Sequence, residues 1–278
     1  MEALRAQLSK ELDKPTEQLD QQSRALFDQF MLAMADGKLR AAYCVDGQWQ
    51  ADTLVKRAIL LGFRLGRLTL PEPAGPLHFS DKDTMMPPRQ PYLERNLRVV
   101  PGGTSIRPGS YVGRNVTLMP PAFINVGAYV DDDTMIDSHA LVGSCAQVGK
   151  RCHISAAAQL GGVLEPIGQV PVVIEDDVFV GGNCGVYEGT IVRAGAVLAA
   201  GTILTRGTIV YDLVNDCQYA ARDGKPLEIP AAAVLVPGSR AAKSPFAREH
   251  GLQLYAPLIV KYRDQRTNAS TTLEEALR

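Results

Sequence analysis

The chain has 278 residues, 46% hydrophobic and 21% charged, enough for one large domain or two to three small ones. Lys and Arg number 29 against 30 Asp and Glu, and a net charge of −1 gives no electrostatic case for a nucleic-acid partner or an anionic membrane. Apolar runs such as 58–61 are far too short to span a bilayer, and the charged start, MEALRAQLSKELDK, has no apolar signal core.

Residues 1–40 read as helices. Leu4, Leu8 and Leu12 share one face; after Pro15, Leu26, Phe27, Phe30, Met31 and Met34 share another. Gly37 suits a helix C-cap. VDGQW at 45–49 reads as a turn. TLVKRAILLGFRL at 53–65 reads as a helix, with Asp52 as its N-cap. From 71 to 91 prolines are frequent and no period holds, which reads as a loop. Residues 1–100 are therefore expected to form a small helical domain, with no recognisable catalytic motif.

From Ile106 a different period takes over. Ile, Val or Leu occupies every sixth position through Leu160, and again from Ile174 to Val210, seventeen positions in all. A strand repeats every two residues and a helix every 3.6, so neither gives a strict six. A hexapeptide repeat of a parallel β-helix does, with one apolar residue per flat face. Gly113, Gly143, Gly149, Gly161 and Gly181 follow apolar positions, where tight corners favour glycine. The expected fold is mainly β: a left-handed parallel β-helix over 101–210, a three-sided prism of about six coils, eighteen residues each. Two features interrupt the beat. Fourteen residues instead of twelve separate Leu160 from Ile174, so two extra residues must leave the coil. After Val210 the hexads stop, and RDG at 222–224 marks a β-hairpin. An apolar strand at 254–262 and a short helix at 271–278 complete an extension over 211–278. The flat faces of such prisms invite packing, and a homotrimer follows from cyclic closure, with ligand sites in grooves between prisms.

Five scattered cysteines without a Cys-x-x-Cys argue for a reduced, cytoplasmic protein. Cys145, Cys152 and Cys184, inside the repeats, read as small buried hydrophobes. Asp131, Asp132 and Asp133 read as a solvated corner, and Glu165 and Glu175 as loop and corner charges. Asp137 stands out, because it holds the place after the apolar residue where glycine is commonest. There it is either a solvated turn residue or, with its pKa raised by desolvation, a general base. His139 is a second candidate base. Only His139 and His153 lie in the prism, too few for a three-histidine metal site. Glu188 is the other candidate carboxylate. Counted in hexads it lies eight faces and almost three coils from Asp137, roughly 13 Å at a strand spacing of about 4.8 Å. The two are on different faces, so they share a site only across two subunits.

NVTLMP at 115–120, VGAYVD at 126–131, TMID at 134–137, VGSCAQ at 142–147, GGVLEP at 161–166 and IED at 174–176 resemble the tetrahydrodipicolinate N-succinyltransferase family of the diaminopimelate–lysine pathway. The resemblance extends to DGQW at 46–49 and LIVK at 258–261. It implies a trimer with a helical first domain, a coenzyme A thioester as cosubstrate, no metal, and transfer of succinyl to the amino group of ring-opened tetrahydrodipicolinate. The family's substrate-binding Arg and Asp fall on Arg98 and Asp137. Where the family reads SEVVEG, this chain has CGVYEG at 184–189: the first Glu, associated with catalysis, is Gly185 and the second is Glu188. The family's Trp two residues after the Asp is His139. These changes imply a retuned enzyme, with space opened at Gly185 for a different acceptor or acyl group. Acetyl-CoA is then an alternative donor, and the homologue of tabtoxin-type β-lactam biosynthesis is one such relative. The expected chemistry is direct transfer: Arg98 holds a substrate carboxylate, Asp137 deprotonates the amine, and backbone N–H groups of Gly181 and Gly182 face the oxyanion. The competing class is a non-catalytic β-helix serving as an assembly subunit.

Overall fold

The computed structural model describes residues 1–69, 80–86 and 91–263. The helix expected at 271–278 lies outside the described residues, as does much of 71–91. Helices α1 (Glu2–Leu12), α2 (Gln21–Ala35) and α3 (Thr53–Leu65) pack around Leu8, Phe27, Phe30, Met34 and Ile59. Asp52 caps α3 by accepting the Val55 N–H at 3.1 Å, and it takes the Arg5 guanidinium at 2.7 Å. Gly37 follows α2 at φ +72°, as a C-terminal cap requires. Asp46 and Gly47 both have positive φ and join the strands Ala42–Val45 and Gln48–Ala51 in the tight hairpin that two such residues allow. The proline-rich stretch is not wholly irregular. Asp81–Lys82 pairs with Leu68–Thr69, and Met85 is fully buried in the helical core. Two-residue strands are too short for any period to reveal.

The prism is built from two-residue strands that stack in parallel, in register. Ile136 lies opposite Ile154, eighteen residues on. The first face runs from Arg98–Val99 through Thr117–Leu118, Met135–Ile136, His153–Ile154, Phe179–Val180 and Val197–Leu198 to Ala233–Val236. The second runs from Ser105–Ile106 to Ile203–Leu204, the third from Tyr111–Val112 to Glu228–Ile229, with six strands each. All seventeen hexad positions are buried, most at 0% exposure. Each such side chain taken from water contributes about 1.5–3 kcal/mol before the entropy of ordering is subtracted.

The two interruptions differ from the sequence expectation. Val142 pairs with Leu160, but Leu160 pairs with Val186, twenty-six residues on. Gln159–Leu160 on the second face is followed directly by Val173–Ile174 on the third, so the insertion holds eight extra residues and skips no face. A beat of six fixes phase only; fourteen is two more than twelve or eight more than six. Val210 keeps the beat but leaves the prism. It forms the hairpin Val210–Asp212 with Cys217–Tyr219, which turns at 213–216 and not at the expected RDG, where Arg222 and Lys225 close a separate small turn; Ile229 takes the rung on Val192. The strand expected at 254–262 is two strands, Gln253–Tyr255 and Leu258–Tyr262. The second lies between Val210–Asp212 and Ala233–Val236 and ties the hairpin to the prism.

The helical layer rests on the third face. Arg40 stands 3.6 Å over the Tyr129 ring, Tyr129 stacks on Tyr111 at 4.5 Å, and Arg95 covers Tyr111 at 4.8 Å. Such cation–π contacts favour Arg over flat rings. Glu175 is more than a corner charge: it accepts from Trp49 Nε1 at 2.9 Å and pairs with Arg193 at 2.8 Å. Arg40 also donates to Gln147 at 2.9 Å, a further tie to the third face.

Asp212, 2% exposed, anchors the terminal hairpin. Burial alone raises its carboxyl pKa. Hydrogen bonds from Tyr262 Oη (2.6 Å), Asn215 Nδ2 (2.9 Å) and the N–H groups of Val214 and Asn215 outweigh burial and hold it below the ordinary range. A carboxyl depressed in the fold adds stability that is complete above its unfolded value, about 3.9, and is lost as pH falls through the folded value. Asp212→Asn is expected to lower stability by about 1–3 kcal/mol at pH 7 and to lose less between pH 5 and 3 than wild type. Urea unfolding at both pH values tests this; equal losses on acidification would remove Asp212 as the acid-sensitive anchor.

Candidate active site

Asp137 follows Met135–Ile136 at the corner between the first and second faces, with its side chain 28% exposed. Its N–H bonds the Ile154 carbonyl, which fixes the backbone. One carboxylate oxygen accepts the Ser138 N–H at 2.7 Å; the other faces His153 Nε2 at 3.8 Å. His153 sits one rung on, nearly buried, its ring edge-on to Phe179 at 5.0 Å. Sequence reasoning weighed His139 and missed His153. His139 has φ +62° and an exposed side chain, and its imidazole makes no hydrogen bond among the described residues. The signal for His153 was its place eighteen residues after Met135, one coil further along the same face. Arg98 is exposed on the first face, two rungs before Met135, about 10 Å away at the usual strand spacing. It lines a groove of about 430 Å³ with Asn115, Thr117, Met119 and Asp133. Arg98 and Asp137 thus lie on one side of the prism, spaced for a carboxylate and an ammonium of one small substrate.

Glu188 is elsewhere. It follows Gly185–Val186 at the corner of the second and third faces, with φ +52° and an exposed side chain. The strands place it seven faces after Asp137, not eight, because the insertion skips none. Seven is still not a multiple of three, so the two carboxylates occupy different corners, two coils and one face apart. One chain does not bring them together. Glu188 accepts the Arg206 N–H at 2.8 Å and lines a cleft of about 680 Å³ with Gly161, Gly162, Glu165, Tyr187 and Arg206.

The space expected at Gly185 is filled. A Cβ placed there would lie 2.4 Å from Tyr187 Cε2 and 2.9 Å from its hydroxyl oxygen. The Tyr187 ring folds back over Gly185. The oxyanion expectation is also narrowed. The Gly181 N–H is committed to Leu198 O at 2.8 Å, whereas the Gly182 N–H makes no hydrogen bond among the described residues. Burial pushes the Cys145 and Cys152 thiols up to about 12 and raises Cys184, so none of the three is a ready thiolate. Among the described residues no group of three or more His, Cys, Asp or Glu is arranged to hold a metal, and no helix is long and apolar enough to cross a membrane.

The insertion walls the Glu188 cleft and is held from the helical side. Fully buried Lys56 of α3 donates to the Gln169 carbonyl at 2.6 Å, and Leu164 packs on the helical core. Desolvation pushes the Lys56 pKa down. Between that value and the unfolded one, about 10.4, the unfolded chain binds more protons, so stability rises with pH. Lys56→Met is expected to cancel this rise, to change stability at pH 7 by no more than about 1 kcal/mol, and to speed amide exchange around 168–170 by at least about tenfold. Unchanged exchange there would show that the insertion holds itself.

Comparison with known proteins agrees with this architecture. A profile described as "Tetrahydrodipicolinate N-succinyltransferase N-terminal" matches residues 5–65, and one described as "Hexapeptide repeat of succinyl-transferase" matches 171–206. The 2,3,4,5-tetrahydropyridine-2,6-dicarboxylate N-succinyltransferase of Acinetobacter baylyi is 39% identical over 258 residues, 92% of this chain and 89% of its own. Those of Afipia carboxidovorans and Nitrobacter winogradskyi are 41% identical over 241 residues (84% and 82%) and 40% over 261 residues (92% and 90%). With identity of this level over nearly the whole length, through both the helical layer and the prism, the chain belongs to the tetrahydrodipicolinate N-succinyltransferase family.

Proposed function

We propose that this protein transfers succinyl from succinyl-CoA to the amino group of ring-opened tetrahydrodipicolinate, a step of the diaminopimelate–lysine route. The observation that carries this reading is the placement of Arg98 and Asp137 on one side of the prism, in a chain about 40% identical to enzymes named for that transfer. Arg98, exposed beside an open groove, pairs with a substrate carboxylate by charge-assisted hydrogen bonds. Asp137 takes a proton from the substrate ammonium. The free amine then attacks the thioester carbonyl, the tetrahedral intermediate collapses with its C–S bond breaking, and the proton lost by the nitrogen as the amide forms balances the one the departing CoA thiolate takes up, directly or through solvent. The uncommitted Gly182 N–H lies on the same edge as Asp137 but two coils further on, about 10 Å away, beyond reach of an oxyanion formed beside Asp137 in the same chain. No covalent enzyme intermediate is needed.

The separation of Asp137 from Glu188 within one chain favours a site completed by a second copy, with Glu188 of one prism facing Asp137 of another. A cyclic homotrimer supplies that arrangement three times, with the prisms meeting along the faces that carry the Asp137 and Glu188 corners. The CoA thioester then lies in the groove between prisms. A cytoplasmic location matches the metabolite pools this reaction draws on.

Mixing enzyme, succinyl-CoA and tetrahydrodipicolinate is expected to release free CoA thiol, with acetyl-CoA and 2-aminopimelate as the comparison donor and acceptor. Asp137→Asn should keep the sedimentation of wild type and lose about 10²–10⁴ in kcat. Arg98→Ala should raise the KM of the acceptor far more than that of the thioester. An Asp137→Asn enzyme with near-normal kcat would move the base to His153 or His139, and a monomer at micromolar concentration would rule out the shared site.

A further inference from the structure

Gly185 and Gly161 lack side chains for a reason other than backbone conformation. Neither has a positive φ; Gly185 lies in a regular two-residue strand. Both lie beneath Tyr187. A Cβ at Gly185 would meet the ring at 2.4 Å, and one at Gly161 would meet Cδ1 at 2.8 Å. Contacts under 3 Å are inside van der Waals contact, so any side chain at either position displaces the ring. The half-buried ring therefore lies on a two-glycine seat and forms part of the cleft that holds Glu188, Thr205, Arg206 and Gln169. Arg206 is exposed, and its guanidinium makes no hydrogen bond or ion pair among the described residues. The cleft thus offers an aromatic wall and an uncommitted cation.

We propose that Tyr187 is a specificity-determining residue, the wall that sets how long an aliphatic chain the cleft accepts, with Arg206 pairing the carboxylate at the end of that chain. This rests on the reading above that the Glu188 corner belongs to the transfer site. Two sources supply such a chain, the acyl group of the thioester and the carbon skeleton of the acceptor diacid. Both share the chemistry the cleft fits: methylenes against a ring and a carboxylate against a guanidinium. The ring lines the same cleft as Arg206, so it bounds the space beside that cation.

The test uses the full-length protein as wild type, Tyr187→Phe and Tyr187→Val. In one arm kcat/KM is measured for succinyl-CoA and glutaryl-CoA with a fixed acceptor. In the other, succinyl-CoA is fixed and the acceptors are 2-aminoadipate, 2-aminopimelate and 2-aminosuberate. One methylene in a fitted pocket changes discrimination by about 10–200-fold. Tyr187→Val is expected to shift the longer-to-shorter ratio by at least about tenfold in one arm. Tyr187→Phe, which keeps the ring, should retain the wild-type ratio. The arm that shifts identifies which substrate the wall measures. Arg206→Ala should raise KM in that same arm with little change in kcat. Ratios unchanged in both arms would reduce Tyr187 to a structural cover for two glycines and overturn the proposal. Should Tyr187→Val fail to fold, Gly185→Leu with Tyr187→Val refills the surface and faces the same criterion. A wild type that releases no CoA from any pair would overturn the transfer reading and the wall together; normal turnover with unchanged ratios would overturn the wall alone.

Discussion

The structure depends on one constraint: every sixth side chain must point to the axis of the prism and be enclosed there. At three strands per coil, an inward residue has its like eighteen positions away in both directions, as Ile136 has Leu118 and Ile154. A polar group on that axis would be buried without a partner, at a cost of several kcal/mol. The backbone between these points has little freedom, because each strand is two residues long and each corner is a tight turn. Chemistry is therefore confined to the outward positions and the corners. Arg98 occupies an outward position; Asp137, Glu188 and Gly182 occupy corners; His153 occupies an outward position that its neighbours have covered.

This constraint made the fold legible. The hexad positions are the strands' inward residues, and the number of coils follows from counting them. The insertion was not legible, because a periodic pattern is blind to whole periods. Only the pairing of Leu160 with Val186 shows that one step, not two, separates Leu160 from Ile174. Val210 shows the complementary failure. It keeps the beat and is fully buried, yet its partners are the extension strands. Burial is what the pattern reports, and a side chain can be buried by something other than the prism. The DGQW, VGSCAQ and IED motifs looked unrelated in sequence. The structure brings Trp49 to Glu175 and Gln147 to Arg40, where they join the helical layer to the third face.

The candidate site was legible where a residue broke a local rule. Asp137 did so by standing in a glycine position; Glu188 was read only as the other candidate carboxylate, and its left-handed corner conformation, which favours glycine, emerges in the structure. His153 broke no rule. Outward positions carry no pattern, so its place beside Asp137 depends on register across a coil. Tyr187 was hidden for a different reason. A glycine read singly suggests empty space, and the side chain that fills the space is two residues away on the same strand and corner.

Gly185 and Tyr187 are one unit, and this changes what the missing carboxylate means. A glutamate at 185 is incompatible with the ring as it lies, and loss of the ring exposes two glycines on the outer surface of the second face. In this chain the two positions are coupled: bare backbone at 185 goes with the aromatic cover from 187. The cleft so built has a full wall with no carboxylate at 185, and Glu188 and Glu165 are the carboxylates that line it. A cleft with less negative charge repels a carboxylate-bearing chain less, and on the proposed reading the amine proton goes to Asp137, two coils away at the other edge of the second face.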